Sequence, residues 1–268
     1  MKTASVLVST YNRPRALHRV LEGLARQTIP ATEIIIGDDG STVDTRVVID
    51  FWRLQGLPVT HLWHDDNGFR KAVIMNRAIK AATSDLLIFL DGDCVPLSSF
   101  VYDHLVMHES DCIHAGPRML ANPSLTEHIE AVGLNEMSLS FWVKARINGS
   151  INRLSPLLRF PDGRWRKRSP NNWECVRGCN FSVDRRAILA VDGFDGCFVG
   201  WGFEDSDIAV RLLNYGLTVK SLRFAAPVVH LWHPEESRSC QEENLSYLVG
   251  TQQEKRIQAR KGLSSLSE

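Results

Sequence analysis

The chain has 268 residues, enough for one large domain or one domain with an appended lobe, and can bury roughly 70 to 75% of its unfolded surface without disulfides or metal staples. Lys plus Arg and Asp plus Glu both count 31, so the net charge is zero, no general affinity for nucleic acid is implied, and any anion site must be local. The six cysteines, at 94, 112, 175, 179, 197 and 240, form no C-x-x-C pair and suit a reducing compartment. No charged leader precedes an apolar core and no apolar run approaches about 18 residues, so the expected location is cytoplasmic, with any membrane contact peripheral.

Residues 5–9 (S-V-L-V-S) read as a buried strand, and Pro14 then sits in the first turn of a helix with Ala16, Leu17, Val20, Leu21 and Leu24 on one face. Residues 33–37 (E-I-I-I-G) give a second strand ending at Asp38-Asp39-Gly40-Ser41, and Asp44 can cap the helix that follows. Residues 59–64 give a third strand, 69–82 a helix and 86–90 (L-L-I-F-L) a fourth strand of the kind buried on both faces. Strands alternating with helices at this spacing predict right-handed crossovers and a mostly parallel α/β sheet. In such sheets ligands bind beyond the carboxyl ends of the strands, where Thr10-Tyr11-Asn12, Asp38-Asp39 and Asp91-Gly92-Asp93 all fall.

Two ionised carboxylates directly after a buried strand need solvent or a cation. Residues two apart on an extended chain point the same way, so Asp91 and Asp93 are expected to face one ligand, with Gly92 leaving the backbone open to close approach. The ligand that fits is a hard divalent cation carrying phosphate oxygens. A solvated Asp-Gly turn explains the same residues taken alone, but three polar clusters at one edge argue for a site. No G-x-G-x-x-G or P-loop is present, so phosphate charge is expected to meet a cation on Asp93 together with Arg70 and Lys71, which are otherwise a solvated helix face.

From Cys112 the alternation loosens. Residues 112–115 read as a strand and 126–147 as a helix. The stretch 146–173 carries Arg146, Arg153, Arg159, Arg164, Arg166, Lys167 and Arg168 among Leu157, Leu158, Phe160, Trp165 and Trp173, which reads as a lid or binding loop, with anionic lipid head groups as a further contact. RNA is the weaker reading for a neutral chain with no nucleic-acid fold signature. After a short helix at 184–191, Gly200 and Gly202 place Trp201 on a flexible loop. Glu204 and Asp205 open a helix at 204–215; acidic residues there are common as dipole partners, and the dipole also keeps a carboxylate ionised and competent as a base. Residues 226–233 form an apolar strand ending in His230 and His233, a pair of which one is expected to be a metal ligand, where one histidine alone would read as core. Residues 242–261 have helical composition and end in K-R-I-Q-A-R-K, a docking helix or membrane-surface element.

S-V-L-V-S-T-Y-N-R-P, I-I-I-G-D-D-G-S and F-L-D-G-D together resemble the N-terminal half of family 2 glycosyltransferases with the GT-A fold. D-G-F-D at 192–195, followed by G-W-G-F-E-D-S-D at 200–207, resembles the acceptor-side motif of β-1,4-galactosyltransferases and of related N-acetylgalactosaminyl and chondroitin-polymerising enzymes. The resemblance covers roughly residues 1–235, and the paired motifs are more specific than a lone D-x-D. It implies a Rossmann-like GT-A sheet flanked by helices, with a nucleotide-sugar-binding half at 1–115, an acceptor-binding and catalytic half at 116–235 and a helical tail at 236–268.

By the same resemblance, Tyr11 would stack on the nucleobase beside Thr10 and Asn12, and Asp39 would bind the base or ribose. Asp91 would hold the ribose or donor sugar next to Gly92. Asp93 would ligate Mn²⁺ or Mg²⁺ on the diphosphate, with His230 slightly ahead of His233 as the second ligand. F-R-K-A-V-I-M-N at 69–76 resembles a donor-contacting stretch, which adds Arg70, Lys71 and Asn76, although the usual Arg is Lys71 here. Trp201, Gly202 and Glu204 would hold the acceptor and Asp205 would be the base; adjacent helical residues project about 100° apart, so Glu204 and Asp205 cannot share that role. The implied activity is metal-dependent inverting transfer from a UDP-sugar of galactose, glucose or N-acetylhexosamine type. The acceptor would be a glycan or lipid-linked glycan in bacterial surface-polysaccharide or lipopolysaccharide assembly, with peripheral contact at the inner membrane. A nucleotidyltransferase would share the acidic site but normally has a Gly-rich basic loop where this chain has S-T-Y-N-R-P. A non-catalytic sugar-binding module would keep Trp201 without needing Asp93 and Asp205 together.

Overall fold

Val6 and Val8 pack on one face of the first strand and Leu7 on the other, and all three are sealed from solvent. The computed structural model describes residues 3–134, 137–166, 172–234 and 237–266, and it repeats this two-sided burial across a seven-stranded sheet. Strands β1 (Ala4–Thr10), β2 (Glu33–Asp38), β3 (Val59–Trp63) and β4 (Leu86–Asp91) are connected by helices α1 (Pro14–Ala25), α2 (Val43–Leu54) and α3 (Lys71–Ala81). Next come β5 (Cys94–Pro96), α4 (Phe100–Val106), β6 (Cys112–Ala115), β7 (Arg118–Leu120), α5 (Pro123–Val132) and α6 (Leu139–Ile147). The chain continues through β8 (Asn180–Asp184), α7 (Arg185–Ala190), α8 (Glu204–Asn214), β9 (Thr218–Ser221), β10 (Val228–His230) and α9 (Gln241–Gln253).

The large sheet has the order β3-β2-β1-β4-β8-β6-β9, in which β8 alone runs against its neighbours. This is the expected mostly parallel α/β sheet flanked by helices. A small second sheet, β5-β10-β7, sits beyond the end of β4. Ile34, Ile88 and Leu90 join Leu17 and Leu21 of α1 on one face, while Ile35, Leu87 and Phe89 join Ile74 of α3 and Ile208 of α8 on the other. Each buried side chain of this kind is worth roughly 1.5 to 3 kcal/mol, so the sheet is fixed from both sides and its carboxyl edge is left for function. In register, Thr10 lies beside Asp38 and Ser9 beside Asp91, which aligns the three strand ends.

Three expectations change. The helix expected at 126–147 is two helices, because Gly133 at φ 79° takes the left-handed backbone that closes α5, its N–H donating to the Ile129 carbonyl. The C-terminal helix ends at Gln253, and the basic segment after it is laid back on the domain: the Arg260 and Lys261 N–H groups donate to Asp195. In the basic stretch, Arg166 is fully buried and donates to the carbonyls of Ser221, Arg223 and Phe160, while Arg159 pairs with Asp103 at 2.6 Å. These two arginines anchor the segment to the body of the domain instead of presenting charge to a ligand. Lys167 and Arg168 lie outside the described residues. Among the described residues no helix is long and apolar enough to cross a membrane.

Candidate active site

The carboxyl ends of β1, β2 and β4, the start of α8 and the end of β10 surround one cleft of about 860 Å³, a size suited to a nucleotide-bearing ligand. One polar cluster in it is built on Asp93. The β5–β10 pairing puts His230 opposite Cys94, so the His230 Nε2 lies 3.7 Å from Asp93 Oδ1. His233 follows on the exiting loop with Nε2 3.4 Å from Asp93 Oδ2, its Nδ1 turned to the Pro234 carbonyl at 2.7 Å. Ligand atoms of all three residues lie within 4.8 Å of one another.

One carboxylate and two imidazoles suit a transition-metal cation such as Mn²⁺, which accepts nitrogen ligands, better than Mg²⁺, which favours an all-oxygen octahedron. Burial lowers the His230 pKa and so favours its neutral, ligating form. Both histidines reach Asp93, so all three residues could hold one cation together, and the geometry gives neither histidine precedence. Either His230→Ala or His233→Ala should raise the Mn²⁺ concentration for half-maximal nucleotide binding at least roughly tenfold. Calorimetric metal titration checks this, and a histidine whose removal changes nothing is not in the set.

Asp91 stands outside that cluster. Strand β4 ends at Asp91 and Gly92-Asp93 form a turn, so the two-residue strand period stops before it reaches Asp93. Asp91 Oδ1 instead accepts from Ser9 Oγ and Lys71 Nζ, both at 2.7 Å. Burial alone would neutralise Lys71, but Asp91 and Glu204 outweigh it and raise the Lys71 pKa, keeping the ammonium charged. Its Nζ is 3.9 Å from Glu204, so one cation links the end of β4 to the start of α8.

The remaining donor-side candidates divide. Thr10, Tyr11, Asp39 and Gly92 line the cleft with Lys71 and Asp91. Tyr11 is 46% exposed and its hydroxyl donates to Asp66. Asp39 is buried, which raises its pKa, and is held by His64 at 2.6 Å and by the Arg70 N–H at 2.7 Å. The Arg70 guanidinium turns away to the Asp65 carbonyl, and Arg13, Lys71, Arg118, Arg177 and Arg238 are the lysine and arginine residues that line the cleft. Arg13 donates to Asp93 at 2.8 Å and to the Trp232 carbonyl at 3.1 Å. Asn12 and Asn76 do not come to the cleft. Asn12 locks the β1 and β2 ends together through Ser41 and Thr42, and buried Asn76 bonds both the N–H and the carbonyl of Phe194.

On the opposite wall, Gly200 and Gly202 both have positive φ, 72° and 114°, and present a Trp201 that is 39% exposed to the cleft. Asp205 is half-buried and lines the cleft, and its Oδ2 accepts the Gly178 N–H at 2.7 Å. Glu204 is buried beside it. Burial, then the neighbouring Asp205, push the Glu204 carboxyl up to about 7.

A carboxyl raised from 4.5 to about 7 stabilises the fold fully below 4.5 and loses that contribution as pH rises through 7. Glu204→Gln removes the titration, so the variant should gain up to roughly 3 kcal/mol relative to the parent between pH 5 and pH 8. Denaturant midpoints at the two pH values test the sign.

Ser9, Arg13, Arg118, Gly178 and Trp232 were missed as site residues. Arg13 was legible inside T-Y-N-R-P, whereas Gly178 has no local signal because its role is a backbone N–H aimed at a side chain distant in sequence.

Residues 5–127 match the family model described as glycosyl transferase family 2, and residues 165–234 match one described as the N-terminal domain of galactosyltransferase. Validoxylamine A glucosyltransferase of Streptomyces hygroscopicus subsp. jinggangensis is 28% identical over 233 residues, a match covering 80% of this chain and 52% of that protein. Hyaluronan synthase of Pasteurella multocida is 27% identical over 233 residues, covering 81% of this chain and 23% of that protein. The chain thus spans about half the length of the first relative and under a quarter of the second. The mannosyltransferase PcManGT from Pyrobaculum calidifontis, in complex with GDP-Man and Mn²⁺, shares the fold with a TM-score of 0.59 at 16% identity, covering 97% of this chain and 65% of that one.

Proposed function

We propose that this chain, which belongs to the family 2 glycosyltransferases, transfers a sugar from a nucleoside diphosphate donor, UDP-linked and of galactose, glucose or N-acetylhexosamine type, to a glycan or lipid-linked glycan with inversion at the anomeric carbon. The observation that carries the reading is a metal-competent cluster on Asp93 and an accessible carboxylate on Asp205 lining the same cleft. A sugar-binding module needs neither, and the matched family models disfavour a nucleotidyltransferase.

Asp93, His230 and His233 would hold Mn²⁺, which when bound supplies the charge that neutralises the leaving diphosphate. Tyr11 stacks on the base, and Asp39 holds the base or ribose from a position fixed by His64 and the Arg70 amide. Asp91, aligned by Ser9 and Lys71, orients the ribose or donor sugar. Arg13 adds a second cation beside the phosphates. Trp201 covers the acceptor sugar and excludes water, and Asp205 removes the proton from the acceptor hydroxyl as it attacks. Glu204, neutral over part of the working pH range, donates to or accepts from the acceptor instead of serving as base. The likeness to a hyaluronan synthase supports a setting in bacterial polysaccharide assembly.

The test is calorimetric binding of UDP and GDP with Mn²⁺, Mg²⁺ or chelator, followed by donor hydrolysis across the UDP- and GDP-sugars. UDP binding that strengthens with Mn²⁺ supports the reading. Binding indifferent to metal overturns it, and a GDP preference would transfer the donor class to GDP-sugars.

A further inference from the structure

Helix α6 (L-S-F-W-V-K-A-R-I) is apolar on two sides but packed on one. Trp142 and Ala145 are buried against the domain, while Leu139, Val143 and Ile147 are 71%, 40% and 77% exposed. At 100° per residue those three occupy an arc of about 80°, with Arg146 roughly 20° beyond one border and Lys144 roughly 60° beyond the other. The helix contains no acidic residue. A solvent-facing stripe of large aliphatics bordered by long cationic side chains is the composition of a helix that lies in a bilayer interface: the stripe enters the acyl boundary while the Lys and Arg stems reach back to the head groups.

Helix α2 provides the contrast. Val43, Val47, Phe51 and Leu54 are also exposed, but Asp50 at their border pairs with Arg46 and Arg53 at 3.5 and 2.7 Å, and Asp44 opens the helix. A border of both signs gives no preference for an anionic sheet.

Position supplies a second argument. Three residues beyond the end of α6, the Ser150 carbonyl accepts from the Asn122 N–H at 2.9 Å, and Ile151 bridges to Ala121. Leu120 and Ala121 line the cleft. The stripe and the cleft wall therefore belong to one packed unit. The C-terminal basic segment, the other candidate for a membrane element, is held on the domain by Asp195.

We infer that the outward face of α6 docks on an anionic lipid bilayer and sets the cleft beside lipid-linked acceptors; the acceptor clause rests on the function proposed above. Flotation with vesicles of phosphatidylcholine alone, and of phosphatidylcholine mixed with phosphatidylglycerol, tests it. The chain should bind the mixed vesicles and lose binding as salt rises. Leu139→Ser with Ile147→Ser, and separately Lys144→Glu with Arg146→Glu, should each lower the bound fraction at least roughly tenfold. Val47→Ser on α2 should change nothing. Mn²⁺-dependent UDP binding is measured in parallel, and it should be unchanged in every variant, which shows that each is folded.

Failure of the parent chain to bind mixed vesicles overturns the inference, as does binding that survives both α6 double variants. Self-association that is lost in the Leu139→Ser, Ile147→Ser chain, without vesicle binding, assigns the stripe to a second copy and also overturns it. Vesicle binding that depends on α6 in a chain that never binds UDP would keep the docking surface and remove only the acceptor clause.

Discussion

Asp93→Ala should abolish sugar transfer and the metal dependence of nucleotide binding. The carboxylate is the one anionic group among the three residues whose ligand atoms converge, and Arg13 shares it. Without it a divalent cation would face two neutral imidazoles beside a guanidinium, with no charge compensation, and the diphosphate would lose its main counter-charge. The Mn²⁺ affinity should fall at least roughly 10²-fold, more than is typical for losing a residue that merely supports a ligand. Arg13, Arg118 and Lys71 remain in the cleft, so weak UDP binding should persist but no longer respond to Mn²⁺. The fold should survive, because the backbone contact that anchors this turn, the Leu231 N–H donating to the Asp93 carbonyl at 2.9 Å, does not involve the side chain. Metal titration and a melting curve on the same sample decide the matter. Transfer in Asp93→Ala at the parent's Mn²⁺ requirement would place the cation elsewhere.

The sheet was legible because its physics is local. Runs such as L-L-I-F-L suit strands buried on both faces of a sheet covered by helices, and that sheet's carboxyl edge is where Thr10, Tyr11, Asp39 and Asp93 stand. What stayed hidden depends on where elements stop and which way side chains turn. The period-two argument joined Asp91 to Asp93, but β4 ends between them, and one lysine then claims Asp91. Arg70 and Asn76 lie in a donor-like stretch, yet the Arg70 guanidinium swings to a loop carbonyl and Asn76 faces inward to hold Phe194. The apolar spacing of 126–147 runs through Gly133 without a break, so only the backbone angle reveals two helices. That division frees α6 to present its second apolar face. How deeply each member of the acidic pair is buried was not legible either: Glu204 is buried, which raises its pKa, and Asp205 is the more accessible carboxylate of the two.

Asp205→Asn should lower kcat at least roughly 10²-fold while leaving UDP and Mn²⁺ affinity near the parent values. Inversion needs a carboxylate on the acceptor side of the anomeric carbon, and α8 offers two adjacent acids that point about 100° apart. Glu204 is buried, 3.9 Å from the Lys71 ammonium, and carries a pKa near 7, so it suits a contact to the acceptor more than the removal of its proton. Asp205 lines the open cleft and is aimed by the Gly178 N–H on a single oxygen, which leaves the other for the acceptor proton. Asparagine keeps the size and can still accept from Gly178, so the loss falls on proton transfer and not on position. Glu204→Gln should mainly raise the acceptor KM, and the two variants together separate base from acceptor contact. Wild-type turnover in Asp205→Asn, or a product that retains the donor's anomeric configuration, would rule out Asp205 as the base of an inverting displacement.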